Sequence, residues 1–425
     1  MSEAPGFKAR QAAQDILSDV LGKRRPLDAA LESCADLEPR DAGFARAIAG
    51  ETLRRFGQLD ALIRGFVDKL PAPHRAGPAF EILLAGACEL LFLDVAPHAA
   101  VDGANRLAQA DAKAVHFKPL INAVLRRISR EGKDVLAAQD APRLDTPDWL
   151  WTRWCAAHGE ETARAIATAH LKQAPLDIVA KAGAPPGATP LFGHAWRIAE
   201  AARVETMPGF AQGEFWVQDA AATLPALLLG DVNARRVIDL CAAPGGKTAQ
   251  LVQAGAEVVA VERDATRLAR LKDNLERLKL NATLLNEDAR DLRIAPAPLV
   301  LLDAPCTATG TIRRHPELPW IKGASDVTLC AAAAAELLEC AAALVAEGGV
   351  LVFAVCSLEP EEGSEQIAGF LGRSDRFARL AVSPDEMFGH GEFIDRDGDL
   401  RTLPCHLSAR GGMDGFYAAR LRRTR

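Results

Sequence analysis

The chain has 425 residues, enough for two or three domains, and 49% hydrophobic with 25% charged residues is the make-up of an ordinary globular protein. No stretch reaches the roughly 18 uncharged apolar residues of a membrane helix, and Met1–Arg10 holds no apolar signal core, so neither a membrane nor a secretory path is expected. The net charge of −6 excludes a uniformly basic nucleic-acid binder, and nine cysteines without a C-x-x-C pair indicate neither a zinc ribbon nor a disulfide framework, which fits a reducing cytoplasm and no metal.

Net charge hides an asymmetry. Residues 1–133 carry 19 Lys and Arg against 17 Asp and Glu, whereas the other 292 residues carry 31 against 39. The basic residues of the front segment cluster at Lys23-Arg24-Arg25, Arg54-Arg55 and Arg126-Arg127, and the tail repeats the pattern at Arg420, Arg422, Arg423 and Arg425. Such clusters read as solvated helix faces unless the chemistry asks for RNA.

Residues 7 to about 133 read as an all-helical bundle. Apolar residues at Ala13, Ile16, Leu17 and Val20 keep helical spacing over Ala9–Val20. Further helices are expected over 40–56, 59–70, 80–93, 98–110 and 119–128. From Asp134 to about Asn233 the signal is mixed. Thr146-Pro147-Asp148-Trp149 reads as a helix start with Pro at its first position, and another helix covers 159–171. Leu176–Ala180 alternates like an edge strand. Ala182–Thr189, rich in Gly and Pro, is a loop. Glu214–Asp219 is a short strand before a helix over 220–229.

From Arg235 strands alternate with helices. Strands are expected near 236–240, 257–261, 282–286, 298–302 and 349–355, and helices near 247–254, 264–279 and 325–346. This alternation predicts a doubly wound, mostly parallel sheet, with 400–403 and 415–419 as an antiparallel edge. The organisation expected is a helical domain over 1–133, a linker and small α/β subdomain over 134–233, and an α/β domain over 234–425.

The chemistry lies at the strand ends, where open α/β sheets bind ligands. The first strand runs into Cys241-Ala242-Ala243-Pro244-Gly245-Gly246-Lys247, a turn that is neither a Walker loop nor G-x-G-x-x-G. Its glycines let backbone approach a ligand, and the helix that follows offers free N–H groups. Glu262, about 20 residues on, stands where an acid meets ribose hydroxyls. Asp288 ends the third strand and Asp303 the fourth. Two cysteines, Cys306 and Cys356, each follow an apolar run, so both thiols face the ligand edge. A thiolate there can attack an electrophilic carbon. Cys34, Cys88, Cys155, Cys330 and Cys340, inside helical patterns, read as small buried hydrophobes.

These motifs carry a resemblance. Residues Asp239–Thr248, Asp303-Ala304-Pro305-Cys306-Thr307-Ala308-Thr309-Gly310, Arg313–Glu317 and Cys356-Ser357 resemble the Sun/Nop family of RNA cytosine-5 methyltransferases. Residues 7–133 are similar to the NusB-like RNA-binding domain of its bacterial RsmB (Sun/Fmu) branch, through Arg40-Asp41, Thr52–Arg55, Glu81–Leu83, Asp94–Val101 and Asn122–Arg127. The resemblance implies a Rossmann-like class I methyltransferase domain joined to an all-α NusB-like domain. It implies S-adenosylmethionine, contacted by Cys241, Ala242, Ala243, Pro244, Gly245, Gly246 and Lys247, and by Glu262, Arg267, Asp288 and Asp303. It further implies Cys356 as nucleophile, Cys306 as assistant in breaking the adduct, and Asp303 on the base. The expected reaction forms 5-methylcytosine in 16S rRNA, by a cytoplasmic monomer without an obligate protein partner. The competing readings are the same reaction on tRNA and a non-catalytic RNA-binding assembly factor. Three departures from the family pattern stand out: Val355 where Thr is usual, Ala308 where Gly is frequent, and no Arg-x-Asn in 176–180, where Asp177 and Lys181 stand nearby.

Overall fold

The computed structural model describes residues 6–198 and 203–425 and divides into two units, Met1–Lys172 with Ile312–Gly323, and Gln173–Thr311 with Ala324–Arg425.

The first unit is helical, as the 3.6-residue apolar spacing requires. Its main helices are Phe7–Leu17, Pro39–Arg54, Phe56–Phe66, Ala79–Leu91, Pro97–Ala110 and Lys118–Ala137, followed by Asp148–His158 and Glu160–His170. Proline occupies the first turn of three of them, at Pro39, Pro97 and Pro119, where its missing N–H costs nothing. The helix expected to stop at Ile128 continues to Ala137, and Gly132 within it packs beside Leu91, where a Cβ would lie 3.1 Å from a Leu91 methyl. Arg10 and Glu89 form a buried pair, with Nη2 to Oε2 at 2.6 Å. Gly103 makes room for it, since a Cβ there would sit 2.6 Å from Arg10 Cδ.

Residues Ile312–Gly323 belong to this unit through specific bonds. Trp320 donates Nε1–H to Leu53 O at 2.9 Å and its ring lies 4.8 Å from that of Phe56. Arg54 donates to Arg313 O at 2.9 Å and to His170 O at 3.1 Å. Arg55 pairs with Glu51, donates to Leu171 O and covers the Phe92 ring. Arg54 and Arg55 are therefore interior bonds of the unit and not an open basic patch. The exposed basic row runs along the last long helix, at Arg126, Arg127, Arg130 and Lys133.

The second unit holds two sheets. The smaller has the order β2-β3-β1-β4, with β1 Leu176–Ala180, β2 Ala188–Pro190, β3 Ala195–Ile198 and β4 Phe215–Val217, all antiparallel. The edge placement expected for Leu176–Ala180 is corrected: this strand pairs on both sides and is buried from Asp177 to Ala180. Its polar residue misled the pattern, because Asp177 is buried against Arg197, with bonds of 2.7 and 2.8 Å.

The larger sheet contains β5 Arg236–Leu240, β6 Glu257–Val261, β7 Thr283–Leu285, β8 Ala297–Asp303, β9 Val345–Val355, β10 Phe377–Arg379, β11 Leu400–Thr402 and β12 Phe416–Arg423. Its order is β10-β12-β9-β8-β5-β6-β7, with β11 on β12. Strands β5 to β9 are parallel; β10, β11 and β12 are antiparallel additions. Strand β12 is not an edge but lies between β9 and β10. Strands β5 and β8 are buried along almost their whole length, and β9 from Leu351 to Val355, as in parallel sheets covered on both faces. The chain order reverses between β5 and β8, and the crevice at their carboxyl ends is the ligand position of such sheets.

Candidate active site

Each functional side chain sits where a parallel strand stops. Strand β5 delivers Asp239 and Cys241, β6 delivers Glu262, β8 delivers Asp303 and Cys306, and β9 delivers Cys356. A cavity of about 460 Å³ opens at this edge. Cys241, Ala243, Glu262, Arg267, Asp288, Asp303, Cys306 and Cys356 line it, so the structure brings these expected residues onto one surface. Ala242, Pro244, Gly245, Gly246 and Lys247 form the turn behind that wall. Gly245 has φ of +101°, a conformation only glycine adopts without strain, and it starts the helix Gly246–Gln253.

The cofactor-side carboxylates are not alike. Glu262 is 3% exposed. Its Oε1 accepts the Asp264 N–H at 3.0 Å, while buried Oε2 receives no hydrogen bond and has the Arg267 guanidinium at 3.4 Å. Arg267 also donates to Ala243 O at 2.6 Å, which ties the turn to the helix Ala265–Leu278 that follows β6. Asp288 accepts two bonds from Arg290, at 2.9 and 2.7 Å, and these hold its carboxyl at about 2. Asp239 lies beneath, bonded by Thr248 Oγ1 at 2.6 Å, and burial pushes its carboxyl up to about 7. Lys247 does not reach the cavity. Its ammonium sits 2.8 Å from Asp303 Oδ2 and over the Phe416 ring.

The two thiols meet. Cys306 Sγ lies 3.5 Å from Cys356 Sγ. The hydrogen bond to Cys356, followed by burial, pushes the Cys306 thiol well above its ordinary value. A thiol raised in this way keeps its proton at neutral pH. Cys241 is different again: burial and then the Asp303 and Glu262 carboxylates push it up to about 12, so it stays a neutral thiol. The loops that carry the pair are tied by backbone bonds, Gly310 N–H to Cys356 O at 3.0 Å and Gly415 N–H to Gly310 O at 2.8 Å. A Cβ on Gly310 would lie 2.0 Å from Gly415 O, so only glycine fits. Ala308 has φ of +59°, in the left-handed region, which accounts physically for glycine being the easier residue there.

Sequence reasoning missed one wall. The helix Ala324–Ala343 presents Leu329, Ala333 and Leu337, spaced four apart, together with Cys330. Reading Cys330 as a buried packing residue is corrected, since it is half-buried and faces the cavity. The four-residue spacing was the available signal. Sequence reasoning also missed Glu362, which is wholly buried and bonded to the residues that follow both cysteines.

Known proteins resemble this chain along nearly its whole length. Residues 226–422 match the 16S rRNA methyltransferase RsmB/F family and residues 7–130 match the NusB family. Ribosomal RNA small subunit methyltransferase B of Pseudomonas putida is 36% identical over 442 residues, covering 97% of this chain and 98% of the relative. The chain belongs to the RsmB/F family of 16S rRNA methyltransferases. The Cronobacter sakazakii member is 34% identical, again over 97% of this chain and 98% of its own. Among solved structures, a methyltransferase homolog from Pyrococcus horikoshii is 26% identical with a TM-score of 0.54, covering 64% of this chain and 93% of that one. The structure titled PH0851 has a TM-score of 0.74 at 23% identity over 99% of this chain, and so shares the fold.

Family membership makes S-adenosylmethionine the group to test against the site. The residues fit. Glu262 Oε2 is a buried acceptor without a donor, suited to a ribose hydroxyl. The glycine turn brings backbone close, and the Leu329–Leu337 face supplies apolar wall. The departures from the family pattern leave this fit intact. Val355 is wholly buried in β9, Asp177 is spent on Arg197, and Lys181 donates to Leu278 O.

Proposed function

We propose that this protein methylates C5 of a cytosine in 16S rRNA, through a transient bond between Cys356 Sγ and C6 of the base. The observation that carries the reading is the pair of sulfurs at 3.5 Å on the wall of the cavity that Glu262 also lines. Bound S-adenosylmethionine supplies an electrophilic methyl group. Glu262 would accept from the ribose, Asp288 would stand on the adenine side, and the turn 241–247 would bring its backbone to the rest, with Lys247 held back on Asp303.

Cytosine C5 is too weak a nucleophile to take that methyl unaided. The Cys356 thiolate adds to C6, a C6–S bond forms, and the electron pair moves to C5, which then accepts the methyl group. Cys306 stabilises the attacking thiolate by donating its S–H. Asp303, its charge balanced by Lys247, accepts a hydrogen bond from the pyrimidine edge and fixes the ring. A water molecule then carries the C5 proton to solvent, the C5–H electron pair re-forms the C5–C6 double bond, and the C6–S pair returns to Cys356 sulfur, whose departure Cys306 assists by donating its S–H. The target base leaves its stack to enter the cavity. The NusB-like segment grips RNA phosphates while the methyltransferase segment selects the base. The protein acts as a monomer in the cytoplasm, and none of its described helices is long and apolar enough to cross a membrane.

Bisulfite sequencing of 16S rRNA and tRNA from a strain lacking the gene tests the reading. Loss of one 5-methylcytosine from 16S rRNA, restored by the purified protein with S-adenosylmethionine, is the expected result. Loss only from tRNA, or from neither, contradicts it.

A further inference from the structure

We propose that Glu362 is the positioning residue of the two-thiol centre, its carboxylate clamping the residue after each cysteine so that the sulfurs stay within proton-transfer reach. The inference rests on the reaction proposed above and adds a residue to it.

Glu362 follows β9 and the Cys356 loop and is wholly buried. Its Oε1 accepts the Thr307 N–H at 2.8 Å. Its Oε2 accepts the Thr307 hydroxyl at 2.6 Å and the Ser357 hydroxyl. Thr307 is the residue after Cys306, and Ser357 the residue after Cys356. One carboxylate therefore holds both thiol-bearing loops at their first residue.

Leu358 N–H donates to Thr309 Oγ1 at 3.0 Å, and the Thr309 and Ser357 hydroxyls lie 3.2 Å apart, where either can donate. Glu359 N–H also donates to Ser357 Oγ, at 3.1 Å. The Ser357 hydroxyl donates to Glu362 Oε2. An ionised carboxylate satisfies all three of these donors, the Thr307 N–H and the Thr307 and Ser357 hydroxyls, while burial raises the carboxyl above its ordinary value. Buried polar networks are kept at a cost, and a fully satisfied one fixes geometry closely. Glu362 does not line the cavity, so it acts through Thr307 and Ser357 and not on substrate.

Glu362→Gln keeps the side-chain volume but turns one acceptor into a donor that faces hydroxyl protons. The test uses the full-length protein, 16S rRNA and S-adenosylmethionine. It reads kcat, KM for RNA, the cofactor Kd, the melting temperature and the pH profile of kcat. The expected result is a fall in kcat of about 10- to 100-fold, the scale of a small misplacement of reacting groups. RNA KM and cofactor Kd should stay within about twofold, the pattern of a lost transition-state effect. The midpoint of the kcat–pH profile should move by about half a unit or more, because the thiol pair sets it. A kcat within about twofold of wild type with an unmoved midpoint overturns the proposal. So does a loss that falls equally on cofactor affinity and melting with the midpoint fixed.

Should Glu362→Gln fail to fold, Thr307→Val and Thr307→Ser decide. Valine removes the hydroxyl at similar volume and serine restores it. The clamp predicts a slow valine variant and a near-normal serine variant; equal rates overturn it. Wild type measured alongside separates the two ideas. An inactive wild type removes the reaction, whereas an active wild type with unaffected variants removes only the clamp.

Discussion

Cys356→Ala is expected to abolish methylation and any covalent RNA complex while leaving S-adenosylmethionine affinity unchanged, which equilibrium binding and a denaturing gel check together. Cys306→Ala should instead accumulate the methylated adduct as a slow band on the same gel, since release from Cys356 is the step it assists. No band with unchanged turnover would make Cys306 structural. Asp239 gives a pH prediction. Its folded-state value near 7 lies above the ordinary 3.8, so its contribution to stability is complete below about pH 4 and is lost as pH rises through 7. Asp239→Asn, which cannot ionise, should therefore raise the melting temperature relative to wild type more at pH 8.5 than at pH 5.5. An equal effect at both would show that the group is not buried as described. At this scale the sequence was readable wherever a polar residue closes an apolar run: Glu262, Asp303, Cys306 and Cys356 all reach the cavity. It was unreadable where the partner is distant in the chain. Nothing near Lys247 indicates that its ammonium belongs to Asp303, and nothing near Glu362 points to Thr307.

The loops after β8 and β9 are the elements on which the proposed chemistry depends, and two neighbouring positions test them in opposite directions. Gly310→Ala would force a methyl against Gly415 O and Cys356 O, moving one thiol loop off the other. Turnover should fall by about 100-fold, as for a displacement of reacting groups near 1 Å, with cofactor binding retained. Ala308→Gly should relieve a left-handed backbone and stabilise the protein by up to about 1 kcal/mol in chemical denaturation, the entropy of the unfolded glycine offsetting part of the gain. Longer elements were legible because periodicity accumulates over many residues. Of the strands of three or four residues, β4, β7 and β11 were legible from sequence, whereas β2, β3 and β10 were not. Strand β1 was misplaced because a buried Asp177–Arg197 pair imitates the polar side of an edge strand.

The whole molecule joins a NusB-like segment to a methyltransferase segment, and the chain returns to the first unit with Ile312–Gly323. Alternation of strands and helices made the second fold readable from sequence, and continuous helical spacing the first. Charge clusters were poorer guides. Arg54, Arg55 and Arg420 look like surface charge in sequence, yet their guanidiniums hold backbone carbonyls and carboxylates. Arg126 and Arg127 remain exposed, so their joint reversal to Glu should weaken RNA binding and lower the log–log salt slope by up to about two units, at roughly 0.7–0.9 for each phosphate no longer neutralised. An unchanged slope in filter-binding titrations would leave them as solvated helix face. The central claim is the covalent bond to Cys356, and it is tested most directly with 16S rRNA carrying 5-fluorocytosine, whose C5 substituent cannot leave as a proton. Incubation of the wild-type protein with this RNA and S-adenosylmethionine, followed by protease digestion and mass spectrometry, should yield one nucleotide-bearing peptide with the added mass on Cys356. A modified peptide centred on Cys306 or any other residue, or no modified peptide from a preparation active on normal RNA, would contradict the account.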